Sequence, residues 1–143
     1  MASLESPHPG FVLDRNSEDI VVSEVTRPGV VTVAEDASVL QARRALQAHG
    51  VHAVLVVERS HGRPLGFITA RGLLGWVDRD ETVAYARDAV SQALIWVRPS
   101  ASLREAIEAI LEPGVTHLLV RRAHGEMGEG VVSALDLLAY GRK

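Results

Sequence analysis

The sequence predicts an α/β fold in which one small unit is used twice. The main observation is an internal repeat with a constant shift of 64 residues, which lays Val30–Gly75 over Leu94–Ala139 without a gap. Within each copy, β-branched runs typical of strands alternate with apolar spacings typical of helices. Small residues also coincide, as Gly66 does with Gly130. A repeat of this length exceeds that of a solenoid, so it indicates two packed domains with a pseudo-twofold arrangement.

The composition supports a globular chain and excludes several classes of function. Apolar residues make up 47% of the 143 residues, but Trp, Tyr and Phe occur only twice each, so Val, Leu, Ile and Ala must form the core. The net charge of −3 gives no electrostatic reason to expect nucleic acid or a membrane as partner. The absence of cysteine excludes disulfides, thiolate zinc ligands and cysteine nucleophiles. Without a signal-like N-terminus or a run of about 18 apolar residues, we expect a cytoplasmic protein.

Each copy is predicted to contain a helix, a strand, a helix, two strands and a closing helix, in that order. The first helix begins near Ser17-Glu18-Asp19, because acidic and capping residues favour a helix N-terminus. It ends before Pro28-Gly29, since proline removes a backbone donor. The β-branched run Val30–Val33 then predicts the first strand.

Capping residues predict the second helix of each copy. In the second copy Ser102 and Glu105 form a capping box before apolar residues at helical spacing. Ser38 and Gln41 repeat this box in the first copy, and Gly50 supplies a left-handed stop at the end of the helix.

Apolar runs and turn residues predict the rest of each copy. Nearly continuous apolar runs are typical of strands that are covered on both faces. Polar, glycine-containing turns follow these runs. The predicted strands are Val51–Val57, Leu65–Thr69, Val115–Val120 and Gly130–Ser133, and the closing helices begin at about Ala70 and Ala134.

The repeat divides the chain into an irregular N-terminal arm at 1–16, a first unit at 17–77, a linker at 78–81 and a second unit at 82–143. Two prolines in Ser6–Gly10 exclude a regular helix or strand interior from the arm. The linker, Asp78-Arg79-Asp80-Glu81, is predicted to be a solvated run of charges without a chemical role.

The last strand-to-helix turn of each copy carries the most specific signal. It reads Gly130-Val131-Val132-Ser133-Ala134-Leu135-Asp136 in the second copy and Gly66-Phe67-Ile68-Thr69-Ala70-Arg71-Gly72 in the first. The pattern of glycine, hydrophobic residue, Ser or Thr, and Asp three positions later resembles that of a pair of CBS domains, the module named after cystathionine β-synthase. The resemblance extends from about Ser17 to Tyr140 and includes the order of elements.

The resemblance implies a fold and a function. Two CBS units pack sheet to sheet around a pseudo-twofold axis, and the clefts between them bind AMP, ADP, ATP or S-adenosylmethionine as regulatory ligands. It also implies a disc-shaped homodimer. A stand-alone pair of this kind is expected to be a regulatory, energy-sensing module that is not an enzyme, requires no cofactor, and signals in trans to a target protein that the sequence does not name.

The motif residues suit an adenosyl ligand for physical reasons. Glycine permits close approach of backbone and ligand. A hydroxyl at a helix N-terminus lies where free N–H groups favour a phosphate, and a carboxylate one turn later can accept from both ribose hydroxyls. Carried over from the family, the ligand-binding residues of the main site are Gly130, Ser133 for phosphate, Asp136 for ribose, and, around the adenine and phosphate, Leu94, Ile95, His117 and Leu118.

The first copy is expected to hold a weak or degenerate second site formed by Gly66, Thr69, Arg71 and Gly72. Gly72 stands where the ribose-binding Asp would be, so Thr69 has no carboxylate partner. A charge-assisted hydrogen bond is worth about 1.5–3 kcal/mol, so its loss costs one to two decades of affinity. Arg71 is either a substitute phosphate contact or a plain surface arginine.

Simpler interpretations apply to the same residues. Ser133 and Asp136 form a capping box even without a ligand. His117 is otherwise a packed, hydrogen-bonded histidine, and the histidines show no paired spacing for a metal. There is no nucleophile elbow and no Gly-rich phosphate loop, which argues against catalysis. The alternative to ligand binding is an interaction or scaffold module whose ligand sites have decayed, an interpretation that Gly72 favours.

Overall fold

A computed structural model describes residues 20–120 and 130–141 of the chain, which fall into two units. One unit is Val30–Leu94, and the other combines the described residues of Met1–Gly29 with those of Ile95–Lys143. The residues just before Gly29 therefore belong with the second copy of the repeat. The predicted irregular arm at 1–16 lies outside the described residues, and the division into 17–77, 78–81 and 82–143 remains a prediction.

The elements of the Val30–Leu94 unit are β2 (Thr32–Ala34), α1 (Val39–His49), β3 (Ala53–Val57), β4 (Pro64–Thr69) and α2 (Ala70–Leu73). The three strands form a sheet in the order β2-β3-β4. Strand β3 pairs in parallel with β2 and antiparallel with β4. A 3-10 turn, Leu74–Trp76, continues α2.

The elements of the other unit are β1 (Arg27–Pro28), β5 (Trp96–Val97), α3 (Leu103–Ile110), β6 (His117–Val120), β7 (Gly130–Ser133) and α4 (Ala134–Gly141). The four strands form a sheet in the order β1-β7-β6-β5. Strand β7 lies between β1 and β6 and is antiparallel to both, while β5 is parallel to β6. Together the two units confirm the predicted α/β fold with one motif used twice.

The predicted capping residues act as expected. The Ser38 hydroxyl accepts from the N–H of Gln41 at 3.0 Å, and the Gln41 side chain accepts from the Ser38 N–H at 2.8 Å. Ser102 and Glu105 make the same reciprocal pair at 3.2 and 2.9 Å. Gly50 ends α1 with a positive φ of 62°. Both capping boxes and the left-handed stop are therefore confirmed.

The helix predicted to end before Pro28-Gly29 is reduced, among the described residues, to a short 3-10 helix. From residue 20 onward this region contains one 3-10 turn, Val22–Glu24, followed by the short strand β1. Pairing with β7 supplies an alternative to helical hydrogen bonds, since Arg27 lies opposite Val131 and Pro28 opposite Gly130. Tertiary pairing has overridden the local helix signal.

Corresponding segments enter each unit in the same way. The N–H of Val22 donates to the carbonyl of Ala101 at 2.8 Å. At a shift of 64 residues in each direction, the N–H of Ala86 donates to the carbonyl of Ala37 at 2.7 Å. The segment around Val22 precedes the first copy in the sequence but packs in the unit of the second copy. The segment around Ala86 precedes the second copy but packs in the unit of the first. The compact units therefore have other boundaries than the sequence repeats.

Each unit has its own apolar core without aromatic dominance. In the Val30–Leu94 unit, the core includes Val39, Ala42, Val54 and Ile68, all fully buried. The core of the other unit consists of Val22, Val25, Leu103, Ala106, Ile107, Leu118, Val120, Val132 and Leu137. The expected core of Val, Leu, Ile and Ala is confirmed within the described residues.

The first three residues of the predicted linker, Asp78, Arg79 and Asp80, are exposed as expected, but Glu81 is not. The side chain of Glu81 is only 14% exposed, and its carboxylate accepts two close hydrogen bonds from the guanidinium of Arg43 at 2.7 and 2.9 Å. This pair ties the segment to α1. The pKa of the Arg43 side chain is raised above its ordinary value, chiefly by the hydrogen bond to Glu81. Among the helices at 20–120 and 130–141, none is both long and apolar enough to cross a bilayer.

Candidate functional site

Ser133 lies at the junction of β7 and α4, at the end of the strand whose other terminus is the motif glycine Gly130. Its side chain is buried, with 8% of the residue exposed, which is unusual for a polar residue. The hydroxyl is therefore held in place at the N-terminus of a helix, where backbone N–H groups point outward and favour a negative charge.

Asp136 is tied to Ser133 by three hydrogen bonds. Its Oδ2 accepts from the backbone N–H of Ser133 at 2.9 Å and from the Ser133 hydroxyl at 3.1 Å. In return, the N–H of Asp136 donates to the Ser133 Oγ at 3.3 Å. This is a reciprocal capping box of the kind expected from the sequence. Since an ionised carboxylate has about four acceptor positions, such a cap does not preclude a contact with a ligand.

His117 is a neighbour of Ser133 on the sheet. In the antiparallel pairing of β6 with β7, the two residues lie directly opposite each other. Residues opposite each other in this way project from the same face with Cβ atoms about 4.5–5.5 Å apart. The His117 Nδ1 is 2.8 Å from the hydroxyl oxygen of Thr116, an interaction that restrains the imidazole ring. The described structure thus brings together Ser133, Asp136 and His117.

The other predicted site residues are more dispersed. Gly130 is buried at the far end of β7, opposite Val120 and Pro28. Leu118 is opposite Val132, and its side chain is fully buried in the core. Only the backbone of Leu118 is therefore available for contact with a ligand. The carbonyl of Ile95 accepts from the N–H of Leu119 at 2.9 Å, which places Ile95 beside the same strand.

Leu94 is the last residue of the Val30–Leu94 unit and is partly buried, while Ile95 begins the part of the chain that belongs to the other unit. These two neighbours therefore have different structural contexts. Their predicted role beside an adenine remains a prediction.

In the first copy, Thr69 keeps the cap but its partner comes from elsewhere. The Thr69 Oγ1 accepts from the N–H of Gly72 at 3.0 Å. The hydroxyl of Ser91 accepts from the backbone N–H of Thr69 at 3.1 Å and lies 3.0 Å from the Thr69 Oγ1. Ser91 was not anticipated from the sequence, because it lies 22 residues beyond Thr69 and only folding brings the two together.

The segment around Ser91 lies along β4. Ser91 and Gln92 both donate their N–H groups to the carbonyl of Phe67, at 2.9 and 3.2 Å, and Phe67 donates back to the carbonyl of Gln92 at 2.9 Å. Gly66 allows this approach, since a Cβ there would lie 2.5 Å from a methyl carbon of Val90. The motif glycine is therefore explained by backbone packing within this unit.

Three features of the first copy distinguish it from the second. Position 72 has no side chain, Ala53 lies opposite Thr69 where His117 lies opposite Ser133, and the exposed residue is Arg71 where the second copy has the exposed Leu135. No group of three or more possible metal ligands occurs among residues 20–120 and 130–141. The polar turn predicted between the strands Val115–Val120 and Gly130–Ser133 lies outside the described residues.

The comparison with protein families identifies the repeated unit. The family model described as "CBS domain" matches twice, at residues 22–79 and 86–143. An uncharacterized protein from Methanopyrus kandleri is 28% identical over 124 residues, covering 83% of this chain. The match covers 61% of that relative's own length.

Solved structures show the same fold. The CBS domain of a bacterial CNNM/CorC family Mg²⁺ transporter, in complex with ATP, matches with a TM-score of 0.77 and 17% identity, covering 87% of this chain and 89% of the other. A CBS domain protein from Pyrobaculum aerophilum, complexed with AMP, matches with a TM-score of 0.73 and 23% identity, covering 82% and 89%.

Proposed function

Since the chain belongs to the CBS-domain family, we propose that it is a regulatory module without catalytic activity, which binds an adenine nucleotide or a related adenosyl ligand. The main site lies on the second copy of the repeat. Support comes from the AMP and ATP complexes of proteins with the same fold. The observation that carries the proposal is the buried Ser133 at a helix N-terminus, fastened to Asp136 and facing the same side of the sheet as His117.

Each of these residues has a role in the proposed site. The Ser133 hydroxyl and the first N–H groups of α4 bind phosphate, because a helix N-terminus favours anions. The Asp136 carboxylate accepts from the ribose hydroxyls, a charge-assisted contact worth about 1.5–3 kcal/mol. His117 adds a hydrogen bond to phosphate, and a stronger one when the imidazole is protonated. The backbone near Ile95 and Leu118 contacts the adenine.

The signal passes to a separate target protein in trans, and the chain acts as a homodimer. Exposed apolar side chains support an interface with a second copy of the chain or with the target protein. Leu74 is 67% exposed and Leu138 is 70% exposed, and they occupy equivalent positions of the two copies. If the protein exists in two conformations, a ligand shifts the balance between them only to the extent that it binds one with higher affinity than the other.

A scaffold module with decayed ligand sites is the second candidate, because the Ser133–Asp136 box is complete without any ligand. A box of this kind stabilises the helix by about 0.5–2 kcal/mol. The scaffold interpretation therefore predicts that Asp136→Ala lowers stability and changes no ligand response.

Thermal unfolding with millimolar AMP, ADP, ATP or S-adenosylmethionine tests the proposal. A ligand at 100 times its dissociation constant adds about 2.7 kcal/mol to the free energy of unfolding, which raises Tm by several degrees. We expect at least one of these ligands to raise Tm in the wild-type protein and to lose this effect in Asp136→Ala. No shift with any of the four would favour the scaffold.

A further inference from the structure

Ser91 follows the first copy in the sequence but lies in the same compact unit, and its hydrogen bonds to Thr69 correspond to those of Asp136 to Ser133 in the second copy. In the second copy, Asp136 Oδ2 accepts from the N–H and the hydroxyl of Ser133. Ser91 Oγ accepts from the N–H of Thr69 and pairs with its hydroxyl. The third bond also corresponds, because the residue three positions after the cap donates its N–H to the cap hydroxyl in both copies.

Ser91 also occupies the space that a side chain at position 72 would need. A Cβ built on Gly72 would overlap the Ser91 Oγ and lie 2.5 Å from the Ser91 Cβ. Real Cβ atoms do not approach other carbons so closely, since ordinary carbon contacts are about 3.5–4.0 Å. Gly72 and Ser91 are thus a matched pair. The space that a side chain at position 72 of α2 would occupy is filled by the side chain of Ser91, which lies in the segment beside β4.

The substitution preserves the cap but removes the ligand chemistry. A serine hydroxyl is neutral and has one donor and two acceptor positions on a single oxygen. Two of its interactions already go to Thr69. A carboxylate carries a full charge and a second oxygen, and both matter for binding a pair of ribose hydroxyls.

We propose that Ser91 is an internal substitute for the missing carboxylate and closes the first copy to nucleotides, so that each chain binds one adenosyl ligand. This inference rests on the proposed function for its ligand. The structural part concerns the unit Val30–Leu94 alone and can be tested without any ligand.

A stability cycle tests the matched pair. Gly72→Asp should lower Tm by about 3–10 °C, because the new Cβ overlaps Ser91. Ser91→Gly in the same chain removes both overlapping atoms and should restore most of this loss. Ser91→Ala is the matched control, since it removes the hydroxyl but keeps the Cβ that lies 2.5 Å away, and it should restore little. Equal rescue by Ser91→Gly and Ser91→Ala, or no loss in Gly72→Asp, would overturn the proposal.

The number of AMP or ATP molecules bound per chain tests the closure. By calorimetry we expect one per chain for the wild type and two for Gly72→Asp with Ser91→Gly. Adding Asp136→Ala to that variant should return the number to one, by removing the other site. If the wild type binds no nucleotide, the proposed function is wrong. One molecule bound by the double variant would in that case still support the role of Ser91. A folded double variant that binds no more nucleotide than the wild type would contradict that role.

Discussion

Replacing Gly66 with alanine should destabilise the protein, because this glycine admits the segment 90–92 against β4. A Cβ at Gly66 would lie 2.5 Å from Val90 Cγ1 and 3.1 Å from the carbonyl oxygen of Gln92. The segment cannot withdraw freely, since backbone hydrogen bonds of 2.9–3.2 Å join it to Phe67. The added methyl group must therefore displace Val90 or strain the pairing.

The size of the effect follows from the two possible outcomes of such a substitution. Overpacking in a well-packed site costs about 1–3 kcal/mol. In open space the same change gains about 0.4–1 kcal/mol by restricting the unfolded chain. Gly75 provides the open-space control, because a Cβ there would meet nothing within 4 Å. The free energies of unfolding of Gly66→Ala and Gly75→Ala should therefore differ by about 1.5–4 kcal/mol.

Urea unfolding followed by circular dichroism measures this difference. Val90→Ala removes the nearest methyl carbon, after which the next Val90 atom is its Cβ at 3.7 Å. Gly66→Ala should therefore cost less in the Val90→Ala background, with a coupling of about 0.5–3 kcal/mol as is usual for residues in contact. If Gly66→Ala is as stable as Gly75→Ala, or if the cycle shows no coupling, then Val90 does not restrict the space at Gly66.

Three further outcomes follow from caps, core and charge. Ser102→Ala removes the acceptor of the Glu105 N–H and should cost about 0.5–2 kcal/mol in urea unfolding; a neutral result would contradict its role as a cap. Leu118→Ala, at a fully buried position, should cost about 2–5 kcal/mol, whereas the 66% exposed Leu135 should tolerate alanine; equal losses would mean that the core is placed wrongly. The hydrogen bond from Arg59 is the largest influence on the pKa of the Asp36 carboxyl and lowers it. Because the folded pKa lies below the unfolded one, this stabilisation is present above about pH 4 and is lost as the pH falls through the folded pKa. Arg59→Gln should therefore weaken the acid dependence of the urea midpoint, and an unchanged dependence would contradict this assignment.

Local signals predicted the elements whose causes are local. Ser102 and Glu105 act within one helical turn, and so do Ser38 and Gln41, so the pattern of residue types suffices to place them. The constant shift of the repeat also predicted the order of elements, because an element that is clear in one copy indicates the same element at the equivalent position of the other.

Contacts between distant segments were not predictable in the same way. The helix expected before Pro28 is shortened to a 3-10 turn and followed by the strand β1, because the edge of β7 offers backbone partners to Arg27 and Pro28. The interleaving of the two copies also depends on distant hydrogen bonds, such as that from Val22 to Ala101.

The candidate site was partly predictable for the same reasons. The spacing of Ser133 and Asp136 is a local pattern, and their hydrogen bonds confirm that the two side chains meet. The absence of a carboxylate at Gly72 was visible in the sequence. Its compensation by Ser91 was not, since nothing in the residues near Ser91 indicates that its hydroxyl meets Thr69.

Asp136 serves a ligand as well as a cap in the proposed site, and calorimetric titration with AMP and ATP separates the two roles. The comparison uses Asp136→Ala and Glu105→Ala, since both remove the acid of a capping box on a helix of the same unit. We expect both variants to lose similar stability, but only Asp136→Ala to lose affinity, by about tenfold to a hundredfold for a charge-assisted bond. Equal affinity in the wild-type protein and both variants would mean that Asp136 is a cap and does not bind the nucleotide.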